Sequence, residues 1–346
     1  MKDDHRTLDL TVVLVSYNSR QVILSALAPL VGVEGVHVIV VDNCSQDSTV
    51  REIETHFPSV RVMKMAENLG FARAVNIGIA SCGTADVMLL NPDAVISAAS
   101  VQKLVSALAV PGSGIVAPLI EDPGSRLGIL PAGRFPTIWR MLLHFSGLSR
   151  ISAGRRGLWG HYLLPNNITS VTSARVSVDW VTGACMVFSK DTWDLAGGLN
   201  EQWFMYAEDI DFCFRVRSLG LSVDLLSDAT ASHLVGQSDS SGSYSANPAW
   251  ILNLHDFYNA QLSRSAIHSF SWCLVVSLGL LSRSGAYWLR SMDNKNRDVR
   301  WSYEAARFRV FSLAVLKRAI SAVHSGPRHA EGRDATTHLT KPPIDR

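Results

Sequence analysis

The chain has 346 residues, of which 47% are hydrophobic and 18% charged. That fits two domains or one large α/β domain with additions, and it excludes a disordered, collagenous or low-complexity polypeptide. Thirty-two Lys and Arg nearly balance 30 Asp and Glu, leaving a formal +2, so nucleic acid is not expected as a partner. The five cysteines, Cys44, Cys82, Cys185, Cys213 and Cys273, are far apart and form no C-x-x-C pair, which points to a reducing compartment rather than a disulfide framework or zinc ribbon. Residues 1–10 show no signal-peptide pattern. The longest apolar stretch, 270–281, falls short of the about 20 residues of a spanning helix, so the chain is expected to be soluble or to lie on a membrane.

In chain order, residues 10–15 are an apolar run ended by Ser16-Tyr17-Asn18-Ser19, the pattern of a strand buried on both faces that opens into a loop. A helix is predicted over 21–30. A second strand over 36–41 stops at Asp42-Asn43-Cys44-Ser45-Gln46-Asp47, where Asp47 or Ser48 caps the next helix. The alternation continues with strand 60–65, helix 71–80, strand 87–90, helix 97–108 and strand 114–118. Such alternation predicts βαβ crossovers and a largely parallel sheet with helices on both faces, with ligands beyond the carboxyl ends of the strands. Residues 120–172 are Gly- and Pro-rich and read as an insertion or acceptor loop. Strand character returns over 176–188, followed by a short helix over 191–195 capped by Asp191, a helix over 208–219 and a strand over 222–226. Two amphipathic, aromatic-rich helical stretches are predicted at 256–290 and 299–323. The expected division is a domain over 1–255, a helical region over 256–324 and a disordered tail over 325–346.

The phosphate-cradling loops G-x-G-x-x-G after the first strand and G-x-x-x-x-G-K-[ST] are missing, as is a G-x-S-x-G elbow, which argues against dinucleotide dehydrogenases, P-loop ATPases and α/β-hydrolases. Two acidic places remain. Asp93 follows the apolar Met88-Leu89-Leu90 and the turn Asn91-Pro92, so its carboxylate is expected at the sheet edge, suited to a hard divalent cation or to capping the helix near Ser97. In Trp203-Phe204-Met205-Tyr206-Ala207-Glu208-Asp209-Ile210-Asp211 an aromatic run leads into three acids. Partial desolvation there would raise their pKa values and poise a general base. The same acids also suit a helix N-terminus, with Arg215 pairing to Asp211 at i+4. His233, after the strand at 222–226, matters chiefly if it meets Asp93.

Taken together, these segments resemble the inverting family 2 glycosyltransferases with a GT-A fold, most closely their rhamnosyltransferase-like branch. The likeness covers about residues 9–240. It is carried by Val15-Ser16-Tyr17-Asn18, Val41-Asp42-Asn43-Cys44-Ser45-Gln46-Asp47, the 68–78 segment that opens Asn68-Leu69-Gly70-Phe71-Ala72-Arg73, Leu90-Asn91-Pro92-Asp93, Asp179-Trp180-Val181-Thr182-Gly183-Ala184, and the 204–211 run. The resemblance implies a catalytic base at Asp209 and a nucleotide-sugar site formed by Ser16, Tyr17, Asn18, Asp42, Asn68, Gly70, Arg73, Asn76, Asn91 and Asp93. It further implies an acceptor side with Trp180, Gly183 and Glu208, and a Mg²⁺ or Mn²⁺ ion at Asp93 joined by His233. One departure is that the usual acidic D-x-D reads Asn91-Pro92-Asp93, leaving one carboxylate for the metal. The implied donor is dTDP-rhamnose, with a UDP-hexose as the alternative, and a silent glycan- or membrane-binding scaffold as the rival of another class.

Between 281 and 318 there are nine basic residues against three acidic ones, interleaved with aromatics, a composition that suits the headgroup layer of an anionic membrane or packing on a protein. The membrane reading leads to a cell-envelope or polyprenyl-diphosphate-linked glycan as acceptor and to a peripheral place on the cytoplasmic face of the cell membrane. A homodimer stays open.

Overall fold

The computed structural model describes residues 8–121, 130–151, 155–169, 173–233, 246–292 and 299–325. In chain order the elements are β1 (Leu10–Ser16), α1 (Ile23–Leu27), β2 (Val36–Asp42), α2 (Thr49–His56), β3 (Arg61–Lys64), α3 (Phe71–Ala80), β4 (Asp86–Leu90), β5 (Ala94–Ile96), α4 (Ala98–Leu108), β6 (Ser113–Glu121) and β7 (Leu130–Gly133). They continue with α5 (Ile138–Ser146), β8 (Tyr162–Leu163), α6 (Pro165–Thr169), β9 (Arg175–Ser177), β10 (Trp180–Val181), β11 (Cys185–Ser189), α7 (Lys190–Ala196), α8 (Glu208–Ser218), β12 (Ser222–His233), α9 (Ala249–Phe257), α10 (Ala266–Ser291) and α11 (Val299–Ser325). The described residues fall into two compact units, 8–133 with 163–233, and 134–162 with 246–325. The insertion expected over 120–172 is therefore shared between the units, and the tail from 326 onward lies outside the described residues.

The first unit is built on a nine-stranded sheet in the order β3-β2-β1-β4-β11-β6-β12-β5, with β9 added to β12. Every residue of β1 and β4 is buried, as a parallel sheet covered on both faces requires. One face packs Leu10, Val12, Leu14, Met88 and Leu90 against Ile23, Leu27, Leu104 and Val105 of α1 and α4. Strand direction decides where the loops meet. β1 runs parallel to β2 and β4, β11 runs antiparallel to β4 and β6, and β12 runs parallel to β6. The carboxyl ends of β1, β2, β4 and β12 therefore share one sheet edge with the amino end of β11. The short strand β5, unforeseen in the sequence, pairs Ala94 with His233 of β12. Asp93 is thus one residue from that pairing.

The second unit is helical. α10 and α11 run antiparallel, since Ser277 Oγ meets Ser312 Oγ at 2.9 Å while Ser284 Oγ donates to Ala305 O at 2.7 Å. α5 lies on α10 at Gly279, where an added Cβ would fall 2.2 Å from the Phe145 ring, and Trp272 Nε1 donates to Pro136 O at 2.6 Å. α9 joins through His255 Nε2 and Ser269 Oγ, 3.0 Å apart. α5 lies within the 120–172 stretch that reads from the sequence as an insertion, where no helix is expected. α10 is longer than the 270–281 apolar stretch of the sequence and is by length and composition apolar enough to cross a membrane; Ser277 interrupts the apolar run, but its hydroxyl is spent on Ser312 and the helix continues through it. The helix expected from Asp191 is capped instead by Ser189, whose Oγ accepts Thr192 N at 3.0 Å.

Candidate active site

The sheet edge defined above carries the first polar cluster. Ser16 Oγ, at the end of β1, donates to Asp42 Oδ1 at 2.9 Å, and Ser45 N donates to Asp42 Oδ2 at 3.0 Å. Asp42 is buried, so these donors replace the water its carboxylate loses. Asn18 N donates to Ser45 Oγ at 2.9 Å and Asn18 Oδ1 accepts Gln46 N at 2.8 Å, tying the loops after β1 and β2 together. Tyr17 stays exposed beside them.

Asn43 then fixes the turn before α3. Its Nδ2 donates to Asn68 Oδ1 at 2.8 Å and to Gly70 O at 3.2 Å, while its Oδ1 accepts Leu69 N at 2.8 Å. The sequence offers Asn43 as part of a polar strand exit whose side chains suit bonding to nearby backbone, but it does not show that the partner is the 68–70 turn. Gly70 has φ +81° and would place a Cβ 2.7 Å from Phe204 O, and Phe71 N donates to that same oxygen at 2.8 Å. The 68–71 turn and the 204–207 segment are consequently held edge to edge. Arg73 is exposed on α3. Asn76 is committed elsewhere, since its Nδ2 donates to Leu199 O and Glu201 Oε1 and its Oδ1 accepts Leu199 N.

The two acids singled out in the sequence are linked through the start of β11 and the end of β4. Asp209, at the start of α8, accepts Gly183 N on Oδ2 at 3.0 Å and Ile210 N on Oδ1 at 2.8 Å. Gly183 leads into Ala184, whose carbonyl accepts Asn91 N at 2.9 Å, and Asn91 precedes Pro92 and Asp93. Asp93 is buried and lies 3.0 Å from His233 Nε2, and Asn91 Nδ2 is 3.4 Å from the same nitrogen. Asp93 does not cap the helix after it; Ser97 does, accepting Ser100 N. Trp180, expected on the acceptor side, is buried in β10 opposite Gly133.

Burial raises the pKa of Asp209, and the N–H groups of Gly183 and Ile210 hold part of that rise back. Glu208 is pushed well above the usual carboxylate range, first by burial and then by the neighbouring Asp209 charge, and its Oε2 has no hydrogen-bond partner. Asp211 takes the structural share, accepting Arg215 Nε at 2.9 Å while Arg215 Nη1 donates to Ala196 O. The non-glycine residues with positive φ include Asn18, Cys44, Tyr206 and Ala207. They fall in the loops of this one edge, where local strain costs on the order of 1–3 kcal/mol each and tends to mark function.

Among the described residues no group of three or more His, Cys, Asp or Glu side chains surrounds a metal position. The Asp93 carboxylate, the His233 imidazole and the Asn91 amide suit Mg²⁺ or Mn²⁺ bound partly by protein and otherwise by phosphate oxygens and water.

A mostly parallel sheet with loops gathered at the carboxyl ends of its strands, and helices on both faces, is the GT-A fold. Two solved structures share the fold. A mannosyltransferase from Pyrobaculum calidifontis, in complex with GDP-Man and Mn²⁺, has a TM-score of 0.55 at 14% identity, covering 92% of this chain and 90% of that one. GalNAc-T7 with UDP, GalNAc and Mn²⁺ has a TM-score of 0.54 at 10% identity, covering 93% and 59%. Residues 11–179, about half of the chain, match the family described as Glycosyl transferase family 2. The chain is 28% identical over 204 residues to the N-acetylglucosaminyl-diphospho-decaprenol L-rhamnosyltransferase of Mycobacterium tuberculosis, a match that covers 54% of this chain and 62% of that protein's length. It is also 28% identical over 269 residues to the low-salt glycan biosynthesis hexosyltransferase Agl10 of Haloferax volcanii, covering 76% and 78%.

Proposed function

We propose that this chain is an inverting, metal-dependent glycosyltransferase, that it moves L-rhamnose from dTDP-rhamnose to a lipid-linked or cell-envelope glycan, and that it works as a peripheral protein on the cytoplasmic face of the cell membrane. The observation that carries the reading is the bonded path from Asp209 through Gly183, Ala184 and Asn91 to the Asp93–His233 pair. It supports reading Asp209 as a proton acceptor and Asp93 as a cation-binding acid, with the Asp42 cluster suited to a nucleotide.

The backbone donors at Gly183 and Ile210 orient the Asp209 carboxylate, and each of its oxygens keeps a further lone pair for an acceptor hydroxyl. With its pKa raised by burial, Asp209 takes the hydroxyl proton as that oxygen attacks the anomeric carbon from the face opposite the nucleoside diphosphate. The configuration inverts. Glu208, kept neutral by burial, avoids like-charge repulsion with Asp209 and offers an O–H donor on the acceptor side. Ser16 and Ser45 hold Asp42 in place to accept from a nucleobase. A divalent cation bound at Asp93 and His233 would neutralise the charge that develops on the leaving diphosphate.

The sugar and the lipid-linked acceptor follow the name of the mycobacterial relative, and the haloarchaeal hexosyltransferase, matched over more of both chains, favours another hexose, carried on UDP in the alternative drawn from the resemblance, as the second reading. The membrane assignment is supported by the outer face of α10, where Ile267, Phe270, Leu274, Leu278, Leu281 and Trp288 stand exposed at helical spacing near the basic residues of 281–318. Asp209→Asn should retain donor binding and lower kcat by about 10²–10⁴-fold; near-normal turnover in that variant removes Asp209 from the role. Thermal shifts with dTDP-rhamnose, UDP-glucose and GDP-mannose, with and without Mn²⁺, separate the donors, because a ligand of the native state raises the melting temperature.

A further inference from the structure

The second unit contains a concentration of positive charge that the transfer chemistry does not use. Residues 134–162 include Arg134, Arg140, Arg150, Arg155 and Arg156, with His144 and His161, and no Asp or Glu. α10 adds Arg283 to this segment. Its Nη2 donates to His144 Nε2 at 2.7 Å, and its guanidinium carbon lies 4.9 Å from the centre of the Phe145 ring. Among the described residues no carboxylate reaches Arg283. The charged groups that face it and His144 are Arg150 and His161, with the Tyr162 and Tyr287 hydroxyls near Arg283. The ring of Tyr162 lies 5.3 Å from that of His144.

Burial and the surrounding cations pull the His144 pKa well down. The ring is therefore neutral, it accepts the Arg283 N–H, and it contributes no negative charge. Arg283 is left with four of its five N–H donors and a charge that burial disfavours unless it is paired.

We propose that the second unit binds a phosphate ester at Arg283, with Arg150 and Tyr162 beside it. A guanidinium fork matches two phosphate oxygens, and two cations together suit a phosphate dianion better than a single carboxylate. This inference rests on the second unit alone and is independent of the transfer reaction. The phosphate can belong to a lipid headgroup or to a soluble ester, and the test separates them.

The full chain in EDTA, which suppresses metal-assisted binding at the first unit, is titrated calorimetrically with sodium pyrophosphate against sodium chloride of matched ionic strength. In parallel it is sedimented with phosphatidylcholine vesicles with and without phosphatidic acid. Uptake of pyrophosphate or of the phosphatidic acid vesicles, weakened about tenfold or more by Arg283→Gln, supports the site. Pyrophosphate uptake without vesicle binding assigns a soluble ester, and vesicle binding that requires phosphatidic acid assigns a lipid. Arg150→Ala, at an exposed position, is the second variant and should weaken the same uptake, with its melting temperature measured alongside to report folding. The proposal fails if the wild-type chain takes up neither probe, or if both variants bind as the wild type does.

Discussion

Two neighbouring acids at the start of α8 have different work because their surroundings differ. Asp209 has two backbone N–H groups, whereas Glu208 Oε2 is buried with none. Folding raises the pKa of Glu208 above its unfolded value, so the folded chain binds the extra proton and its stability declines as pH rises through the folded pKa. Glu208→Gln should therefore be close to wild type in melting temperature near pH 4 and more stable than wild type near pH 8, as read by thermal denaturation. Asp209 sets a second pH effect. With Asp209 as the proposed base, its raised pKa should place the acid limb of kcat/KM above the ordinary aspartate range, activity falling as pH drops through that limb because the base becomes protonated. A flat profile down to pH 4 would contradict the assignment.

At the scale of elements, the 68–71 turn and the 204–207 segment depend on a missing side chain. Gly70→Ala adds a Cβ at a positive φ and against Phe204 O; it should cost about 1–3 kcal/mol and lower donor affinity by moving Asn68, measurable by denaturant unfolding and nucleotide titration. In the helical unit, burial holds the His255 pKa down to about 4. The unfolded chain takes up a proton between about pH 6.5 and 4 that the folded chain refuses, so the unit should lose stability as pH falls through that window, and His255→Gln should reduce the slope. Much of this was legible beforehand. The apolar runs of β1, β2 and β4 announce buried parallel strands, and α3 is found at the predicted 71–80. The Arg215–Asp211 pair follows from i+4 spacing. What escaped prediction depends on distant partners. β5 is three residues long and exists only because β12 continues to His233, and α5 has its apolar side defined by α10, more than a hundred residues away in the chain.

For the molecule as a whole, the described residues sort into a sheet-based unit that carries the acids and a helical unit that carries the exposed apolar stripe of α10 and most of the local excess of arginine. If the stripe meets lipid, Leu278→Glu with Leu281→Glu should abolish flotation with anionic vesicles while leaving donor binding unchanged, since neither side chain belongs to the first unit. Retained flotation would assign the stripe to a protein partner.

The helical unit is assembled from two stretches of chain with most of the second half of the sheet unit encoded between them. Pro136 and Trp272, joined by a hydrogen bond, are 136 positions apart. A ribosome adding about 5–20 residues per second needs roughly 7–27 s to cover that distance. For that interval the nascent chain carries Phe145 and Trp159 without the helix that will shelter Phe145, so the order of synthesis itself creates a period in which chaperone capture competes with self-association.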